Sequence, residues 1–427
     1  MTTLTHNKIT GSILDLAKAQ TSFGTLRQSA IKFIEENGLP AQKAEEYKFT
    51  PIVKKLESKL SNFHLAAATS ISQSDVEQAM IPGLEADVLV FDNGHFSPAL
   101  SSYTQDNYTV SLFSELDEQG QSTIGQVAKI EKDPFTALNS AIFADGISIE
   151  VQKNKAVTKP IVFMHFMQAN QGDIIAPRIY IHGAEGTEAS FLEQIISTDD
   201  KAYFFNPVVE VKVERNAHLR YYKLQDENPE ALGVNNLEAD IHRDATFTTV
   251  TLSLRGDMLR NNLNLNLLDS GCEGNMYGLY LLGETTHVDN HTNVDHTMPH
   301  SESNELYKGI LADKSRGVFN GKIFVRQDAQ KTNAFQQNNN ILLSNEAIIN
   351  TKPQLEIWAD DVKCSHGCTT GQLDEEALFY LQARGIGKDQ AKALLLYAFA
   401  GEVMDHIKID VLKEHFIGLV QARLEKF

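Results

Sequence analysis

Four stretches in the middle of the chain share one pattern: PRIYIHGAEG (177–186), VEVKVERNA (209–217), LEADIHRDA (237–245) and LNLNLLDSG (263–271). Each is a strand of alternating apolar and polar residues, followed by a polar pair and a small residue. The small residues lie at 186, 217, 245 and 271, so the unit recurs every 26 to 31 residues. One rung of that length cannot bury its inward side chains alone, whereas stacked rungs form a continuous core. The pattern therefore predicts a β-solenoid.

The same texture of short alternating strands extends from about residue 145 to residue 361. It becomes less regular towards its end, where an asparagine run at 338–340 is predicted to form a polar stack or a corner. A β-sandwich with long hairpins is an alternative that the alternating pattern leaves open. We place the solenoid core at residues 128–370.

A mixed, partly helical region, residues 1–127, precedes this core. Apolar residues recur at helical spacing between Thr25 and Asn37, and Gly38 is predicted to end that helix. An Asn-Gly pair at 93–94 follows a short apolar run and predicts a hairpin turn. The region therefore combines helix with at least one hairpin.

The C-terminal region, residues 371–427, is predicted to be helical. Asp374 is suited to cap a first helix, and Gly385 lies just past the predicted end of that helix. Two further helices are predicted at 388–406 and 410–427. Because these helices carry apolar side chains on more than one face, we expect them to pack on the end of the solenoid or on a partner protein.

The charge of the chain limits its partners. Its 427 residues carry a formal net charge of −18, and such an acidic surface repels nucleic-acid phosphates and anionic lipid heads. No apolar stretch reaches the roughly 18–20 residues that a membrane helix needs, and residues 1–8 lack the pattern of a signal peptide. Three cysteines are too few for a disulfide framework and suit a reducing compartment. We expect a cytoplasmic protein that binds neither nucleic acid nor membranes.

The densest group of metal-binding residue types is HVDNHTNVDHTMPH, which runs from His287 to His300. Histidine and aspartate side chains suit a divalent metal ion if they converge. The proline in this stretch excludes one continuous helix, and alternate residues of an extended chain face opposite sides. His287, Asp289 and His291 would then share one face, and His296 and His300 the other. The alternative is that these histidines are solvated or hydrogen-bonded on a rung surface.

A second cluster, CSHGC, contains Cys364, His366 and Cys368. Thiolate and imidazole groups both bind iron and zinc. A Cys-x-His pair cannot complete a four-coordinate site without ligands from elsewhere in the chain or from another chain. The alternative is a small buried thiol beside a histidine in a turn. Cys272 lies at a predicted rung corner, where we expect a structural role.

The sequence offers no residue-level support for enzymatic turnover. It contains neither type of Gly-rich phosphate-binding loop and no Gly-x-Ser-x-Gly nucleophile elbow. Its acidic pair Glu375-Glu376 is explained by the preference of carboxylates for a helix N-terminus. We therefore expect that this chain is not an enzyme.

Several longer segments carry a further signal: PHSESNELYKG (299–309), SRGVFNGK (315–322), DAQKT (328–332), NTKPQLEI (350–357), DVKCSHG (361–367), LDEEALFYL (373–381), EEYKFT (45–50) and ALNSA (137–141). These segments resemble the SufB/SufD family of iron–sulfur cluster assembly proteins, and more closely its SufD branch. They span most of the chain and are densest between residues 299 and 385. Several long matches in one order are more specific than either cluster alone.

The resemblance implies a fold and a set of partners. The implied fold is mainly β, a right-handed parallel β-helix with helical N-terminal and C-terminal regions, which agrees with the solenoid pattern. The implied protein is a scaffold that hydrolyses nothing, pairs with SufB and binds the SufC ATPase through its C-terminal helices. The expected docking residues are Leu378, Phe379, Tyr380, Leu394, Leu395 and Tyr397. We also expect a homodimer when the chain is isolated.

The resemblance further implies that a nascent iron–sulfur cluster forms where SufB and SufD meet. His366 matches the position of the SufD histidine ligand and Cys364 that of the neighbouring cysteine, whereas Cys368 is assigned no ligand role. His296 and His300 match other motif positions and are weaker metal candidates. The cluster would be transient, with no cofactor held tightly by the isolated chain. Some assemblies of the family bind reduced flavin, but no flavin motif occurs in this sequence.

Two other functions compete with this interpretation. A β-helix carbohydrate-active enzyme would need clustered acidic or basic residues on one face and usually a secretion signal. A stand-alone metal-binding solenoid would use the cluster between His287 and His300. Within the family, the chain length and the CSHG segment favour SufD over SufB.

Overall fold

The structure is a computed structural model that describes residues 8–41, 44–60, 63–168, 170 and 172–427. Residues 1–7, on which the expectation about a signal peptide largely rests, lie outside the described residues. The helices are α1 (Lys8–Lys18), α2 (Gly24–Asn37), α3 (Ile52–Lys59), α4 (Gln73–Ala79), α5 (Glu118–Thr123), α6 (Pro134–Ile142), α7 (Glu375–Ala383), α8 (Lys388–Met404) and α9 (Asp410–Leu424).

The strands account for more of the chain than the helices do. They are β1 (His64–Leu65), β2 (Asp87–Asp92), β3 (His95–Phe96), β4 (Tyr108–Leu112), β5 (Ile147–Val151), β6 (Ile161–Met167), β7 (Asp173–Ile175), β8 (Arg178–Gly183), β9 (Glu188–Ser197), β10 (Phe204–Phe205), β11 (Val208–Val213), β12 (His218–Asp226), β13 (Leu232–Ile241), β14 (Thr246–Arg255), β15 (Met258–Leu267), β16 (Glu273–Leu282), β17 (His287–His296), β18 (Glu302–Leu311), β19 (Arg316–Val325), β20 (Asn333–Leu342), β21 (Ile348–Ile357) and β22 (Lys363–Gly371).

Most of these strands build a β-solenoid of about eight turns. Sheet A runs in the order β4-β5-β8-β11-β13-β15-β17-β19-β21, and sheet B in the order β3-β2-β6-β9-β12-β14-β16-β18-β20-β22. From β11 onward, successive strands alternate between the sheets, so each turn adds one strand to each sheet. Neighbours in this part of both sheets pair in parallel. Because a sandwich joined by hairpins would pair its strands antiparallel, the β-sandwich alternative is wrong and the solenoid prediction is confirmed.

One corner of the solenoid is formed by residues in the left-handed backbone conformation. They follow successive strands of sheet A and have φ between 56° and 75°: Asn154, Gly186, Asn216, Asp244 and Gly271. Glycine, asparagine and aspartate adopt this conformation most readily. The backbone N–H of Asn216 donates to the carbonyl of Arg243 in the next turn, at 2.9 Å. The repeat seen in the sequence is the stacking of these corners, although Ala217 and Ala245 follow the left-handed residue instead of occupying its place.

The solenoid interior holds apolar rows and, near its end, polar ones. In sheet A, for example, the buried side chains of Val211, Ala239 and Leu265 occupy one register row. The asparagine run lies inside β20, where Asn340 donates to the side-chain oxygen of Asn338 at 2.8 Å and both are buried. The inward asparagines of this run form a polar pair within one strand, and the interpretation of the run as a corner is wrong.

The two local predictions for the N-terminal region are confirmed. Helix α2 ends at Asn37, and Gly38 has φ of 66° and donates its N–H to the carbonyl of Ile34. Asn93 and Gly94 form the turn between the antiparallel strands β2 and β3. Strand β2 also pairs in parallel with β6, so this hairpin begins sheet B. Helix α6 lies after it and directly before β5 of sheet A.

The C-terminal helices α8 and α9 cover the outer face of sheet B, whereas the sequence predicted packing on the end of the solenoid or on a partner. Buried side chains of α8 and α9, including Leu396, Val403 and Phe416, pack with strand residues such as Leu306 and Ile310. Helix α7 begins after Asp374, whose carboxylate accepts two backbone N–H groups of its first turn. No helix in the described part of the chain is both long enough and apolar enough to cross a membrane.

Candidate functional site

The candidate ligands lie on β22, the last strand of sheet B. Cys364, His366 and Cys368 are two residues apart, so their side chains leave the same face of the strand. In the neighbouring strand β20 they stand beside Ala334, Gln336 and Asn338, respectively. These three neighbours are buried, so the shared face is the inward face of the solenoid.

The inward face of β22 is accessible because the solenoid ends there. No strand in the described ranges pairs with the outer edge of β22 or of β21. Cys364 is half-buried and packs against the interior together with Ile349 and Leu355 of β21. His366 and Cys368 are exposed. We call the end of the solenoid formed by β21 and β22 the open end. It is lined by the thiols of Cys364 and Cys368 and the imidazole of His366.

The Cys364 thiol is held in its neutral form by its surroundings. Burial raises the pKa of the Cys364 thiol above its usual value, so Cys364 is a neutral thiol in the isolated chain at neutral pH. The ligating form of cysteine is the thiolate, so Cys364 would have to lose a proton to bind a metal ion. Within the described residues, no three His, Cys, Asp or Glu side chains converge closely enough to hold a metal ion. The open end can therefore supply part of a coordination sphere.

The first half of the histidine cluster clamps the N-terminal region onto sheet A. His287, Asp289 and His291 share one face of β17, as predicted, but this face meets the segment that ends at Thr50. Thr50 Oγ1 donates to Asp289 Oδ2 at 2.6 Å and lies 3.2 Å from His287 Nε2. His291 Nε2 lies 2.8 Å from a carboxylate oxygen of Glu46, and this contact lowers the pKa of Glu46 to about 2.

Arg260 completes this clamp. Its guanidinium, on β15, donates to Asp289 Oδ2 at 2.8 Å and to the carbonyl of Glu46 at 2.6 Å, and it lies 3.9 Å from the ring centroid of Tyr47. Burial lowers the pKa of His287 to about 4. The alternative interpretation, hydrogen-bonded histidines on a rung, therefore describes this face.

His296 and His300 do not share a face, and that prediction is wrong. His296 points into the solenoid, where its two ring nitrogens lie 2.7 and 2.9 Å from the hydroxyls of Ser301 and Ser303. Burial lowers its pKa to about 4. His300 lies in the following turn, exposed, with φ of 62°. The strand ends at His296, so strand alternation does not reach His300.

Cys272 lies buried in the turn after β15, where a structural role was expected. Its Sγ lies 3.0 Å from the carbonyl oxygen of Asp269. Burial raises the pKa of this thiol to about 11, so it stays protonated and unreactive.

The proposed docking residues form an apolar patch on α7 and α8. Every residue of α7 is exposed or half-buried, and Phe379 and Tyr380 are 71% and 57% exposed. Leu394 on α8 is 46% exposed. Leu378, Leu395 and Tyr397 are half-buried. The exposed members of this set are therefore Phe379, Tyr380 and Leu394.

Of the polar residues directly behind β22, sequence reasoning assigned no role to Gln336 and placed Asn338 only in a polar stack or corner. Gln336 and Asn338 are buried in the penultimate strand of sheet B, and Asn338 donates to the hydroxyl of Tyr280 at 3.0 Å. The signal for them is FQQNNN (335–340), where polar residues take the inward positions of a strand that should alternate.

Comparisons with known proteins agree over nearly the whole chain. Two family models match: the SUF system FeS cluster assembly SufBD core domain over residues 165–399, and the SufBD protein N-terminal region over residues 13–163. The chain is 33% identical over 401 residues to the iron-sulfur cluster assembly protein SufD of Escherichia coli (strain K12), covering 93% of this chain and 92% of the relative.

Two further relatives come from other bacteria. An iron-sulfur cluster assembly SufBD family protein of Synechocystis sp. is 30% identical over 413 residues, covering 93% of this chain and 90% of the relative. The iron-sulfur cluster assembly protein SufD of Bacillus subtilis (strain 168) is 27% identical over 301 residues, covering 70% and 68%. The solenoid, its open end and these matches together show that the chain is a SufD-like member of the SufB/SufD family of iron–sulfur cluster assembly proteins.

Proposed function

We propose that this chain is a scaffold subunit that pairs through its open end with a SufB subunit and presents His366, with Cys364, to a nascent iron–sulfur cluster. The observation that carries the proposal is an imidazole and a thiol on the inward face of a terminal strand, whose outer edge pairs with no strand in the described ranges. ATP hydrolysis is assigned to a SufC subunit bound to the C-terminal helices. In this proposal the iron and sulfide are cargo that the chain helps to assemble.

The open end has the features of a protein–protein interface. The outer edges of β21 and β22 expose backbone N–H and C=O groups, which readily pair with a strand of another chain. Large apolar side chains are exposed around these edges: Phe335, Ile348, Ile357 and Trp358. A cluster of this kind marks an interaction site more often than free surface. A partner seated there would place its own ligands beside His366.

The expected result of replacing His366 with alanine is a loss of iron–sulfur cluster assembly in cells that depend on this complex. The exposed ring makes no contact on which folding depends, so the variant should fold and still pair with its partner. The measurement is the activity of a cluster-dependent reporter enzyme, alongside co-purification of the partner. His300→Asn is the matched control, because His300 is an exposed histidine in a turn and asparagine tolerates its positive φ. Unchanged reporter activity in His366→Ala would remove His366 from the ligands.

A short connection links the ligand strand to the proposed ATPase site. Strand β22 ends at Gly371 and α7 begins at Glu375, so three residues join them. Helix α7 contacts mainly α8, and α8 packs on β16 and β18 of sheet B. Movement of α7 by an ATPase that closes on ATP is therefore transmitted directly to β22. In this mechanism, closure shifts the contact at the open end and exposes His366 to iron and sulfide.

Replacing Phe379 with aspartate should abolish co-purification of the SufC ATPase. The side chain is the most exposed large apolar group in the described part of the chain, and a charge there opposes burial against a partner. The measurement is the amount of ATPase that travels with the tagged chain when both are expressed together. Gln382→Asp adds the same charge to an exposed position of α7 and should keep the ATPase. Equal retention by both variants would place the ATPase contact elsewhere.

A further inference from the structure

A row of three polar residues ends at His366. Glu305 on β18 stands beside Gln336 on β20, and Gln336 stands beside His366 on β22. All three occupy inward positions of sheet B. Side chains on one face of adjacent strands are about 5 Å apart at Cβ, so in register Gln336 stands between Glu305 and His366.

The hydrogen bonds of this row orient the Gln336 amide. Its Nε2 donates to Glu305 Oε2 at 2.7 Å, and the hydroxyl of Thr292 donates to the other oxygen of Glu305. The nitrogen end of the amide is thereby directed away from β22. The carbonyl oxygen Oε1 is buried and, among the described residues, has no hydrogen-bond partner. Gln336 is 1% exposed, so bulk water does not readily satisfy this acceptor.

The opposite sheet confines the amide to this position. Gly321 on β19 faces Gln336 across the interior, and a Cβ at position 321 would overlap the amide nitrogen of Gln336. The glycine therefore leaves the space that the amide needs, and the amide cannot swing far from it. The Gln336 oxygen is thus held rigidly on the strand next to His366. An acceptor in that position is suited to orient the candidate ligand.

We propose that Gln336 is a positioning residue for His366: its carbonyl oxygen accepts the ring N–H and thereby selects one tautomer of the neutral imidazole. The other ring nitrogen then carries the lone pair and points out of the open end, towards iron. Ligating histidines generally donate their second ring N–H to such an acceptor, which fixes the ring and raises its basicity as a ligand. The role of Gln336 in cluster assembly rests on the proposed function, whereas its effect on the His366 tautomer does not.

The test is the tautomer of His366 in the full chain, labelled with ¹⁵N-histidine and observed by two-bond ¹H–¹⁵N correlation. The His366 signals are those absent from His366→Ala. We expect one tautomer of His366 to dominate in the unsubstituted protein and both tautomers to appear in Gln336→Met, which keeps the side-chain length and removes the acceptor. Gln337→Met makes the same change at an exposed position on the other face of β20 and should leave the His366 signals unchanged.

The outcomes separate this inference from the proposed function. A mixture of tautomers in the unsubstituted protein, or one tautomer retained in a folded Gln336→Met, overturns the inference whatever His366 does in cells. If Gln336→Met does not fold, Gly321→Ala displaces the amide from the opposite sheet and should produce the same mixture. A dominant tautomer together with full cluster assembly in His366→Ala supports the inference and contradicts the proposed function. Where both hold, cluster yield in Gln336→Met should fall about tenfold or more, the usual effect of losing such a partner.

Discussion

Replacing Glu210 with glutamine should lower the free energy of unfolding by about 3–5 kcal/mol, because it leaves a buried guanidinium without its counter-ion. Glu210 on β11 and Arg178 on β8 are both fully buried, and Arg178 Nη2 lies 2.7 Å from Glu210 Oε1. The remaining side-chain partners of Arg178 are Asn139 and Ser140, which carry no charge.

Glu210 also attaches the N-terminal region to the solenoid. Its carboxylate accepts the backbone N–H groups of Gly125, Val127 and Ala128 at 2.9 to 3.1 Å. A glutamine side chain has one oxygen and places an N–H₂ group where a second acceptor is needed, so some of these donors lose their partner. The unpaired Arg178 guanidinium and the unpartnered backbone N–H groups both lower the free energy of unfolding.

The measurement is the urea-induced unfolding of Glu210→Gln, Arg178→Met and the double variant. We expect the double variant to be less destabilised than the sum of the single variants, because it removes both charges together. Glu185→Gln is the matched control: Glu185 forms an exposed ion pair with Lys153 at 2.7 Å, and its loss should have little effect. Additive effects of the two single substitutions would show that the pair is not coupled.

The free energy of unfolding should depend on pH through Glu305, and the environment of its carboxyl sets the direction of that dependence. Burial raises the pKa of Glu305 to about 7, from an ordinary value of 4.5, and its side-chain partners Thr292 and Gln336 are uncharged. The folded state therefore binds the proton more tightly than the unfolded state. The resulting stabilisation is complete below pH 4.5 and is lost as the pH rises through about 7.

Glu305→Gln should remove this dependence. As the pH rises from 4.5 to 8, the free energy of unfolding of the variant should increase by about 3 kcal/mol relative to that of the unsubstituted protein. The measurement is the difference in unfolding free energy between the two proteins across this range. His296→Gln is the control with the opposite sign: burial lowers the pKa of His296 to about 4, so its contribution is lost as the pH falls from 6.5 to 4. A flat difference for Glu305→Gln would mean that Glu305 is ionised in the folded state throughout.

Local patterns identified individual elements and favoured the fold class, although alternation alone left a β-sandwich open. A strand of alternating residues can bury one face only if other strands cover it, so the repeat from residue 177 to residue 271 favoured stacked rungs. Helix ends are set by residues within one turn, which is why Gly38 and Asp374 were placed correctly. The same alternation places Cys364, His366 and Cys368 on one face of a strand.

The tertiary structure decided which face is inward, which strand is last and what lies beside each ligand. Strand alternation assigns residues to two sides but does not distinguish inside from outside, and His287 and His291 were covered by a segment some 240 residues away that no local pattern connects to them. Gln336 stands behind His366 because the turns between β20 and β22 set that register. Register between strands depends on turn lengths and on the packing of the whole interior, which no single stretch of sequence contains.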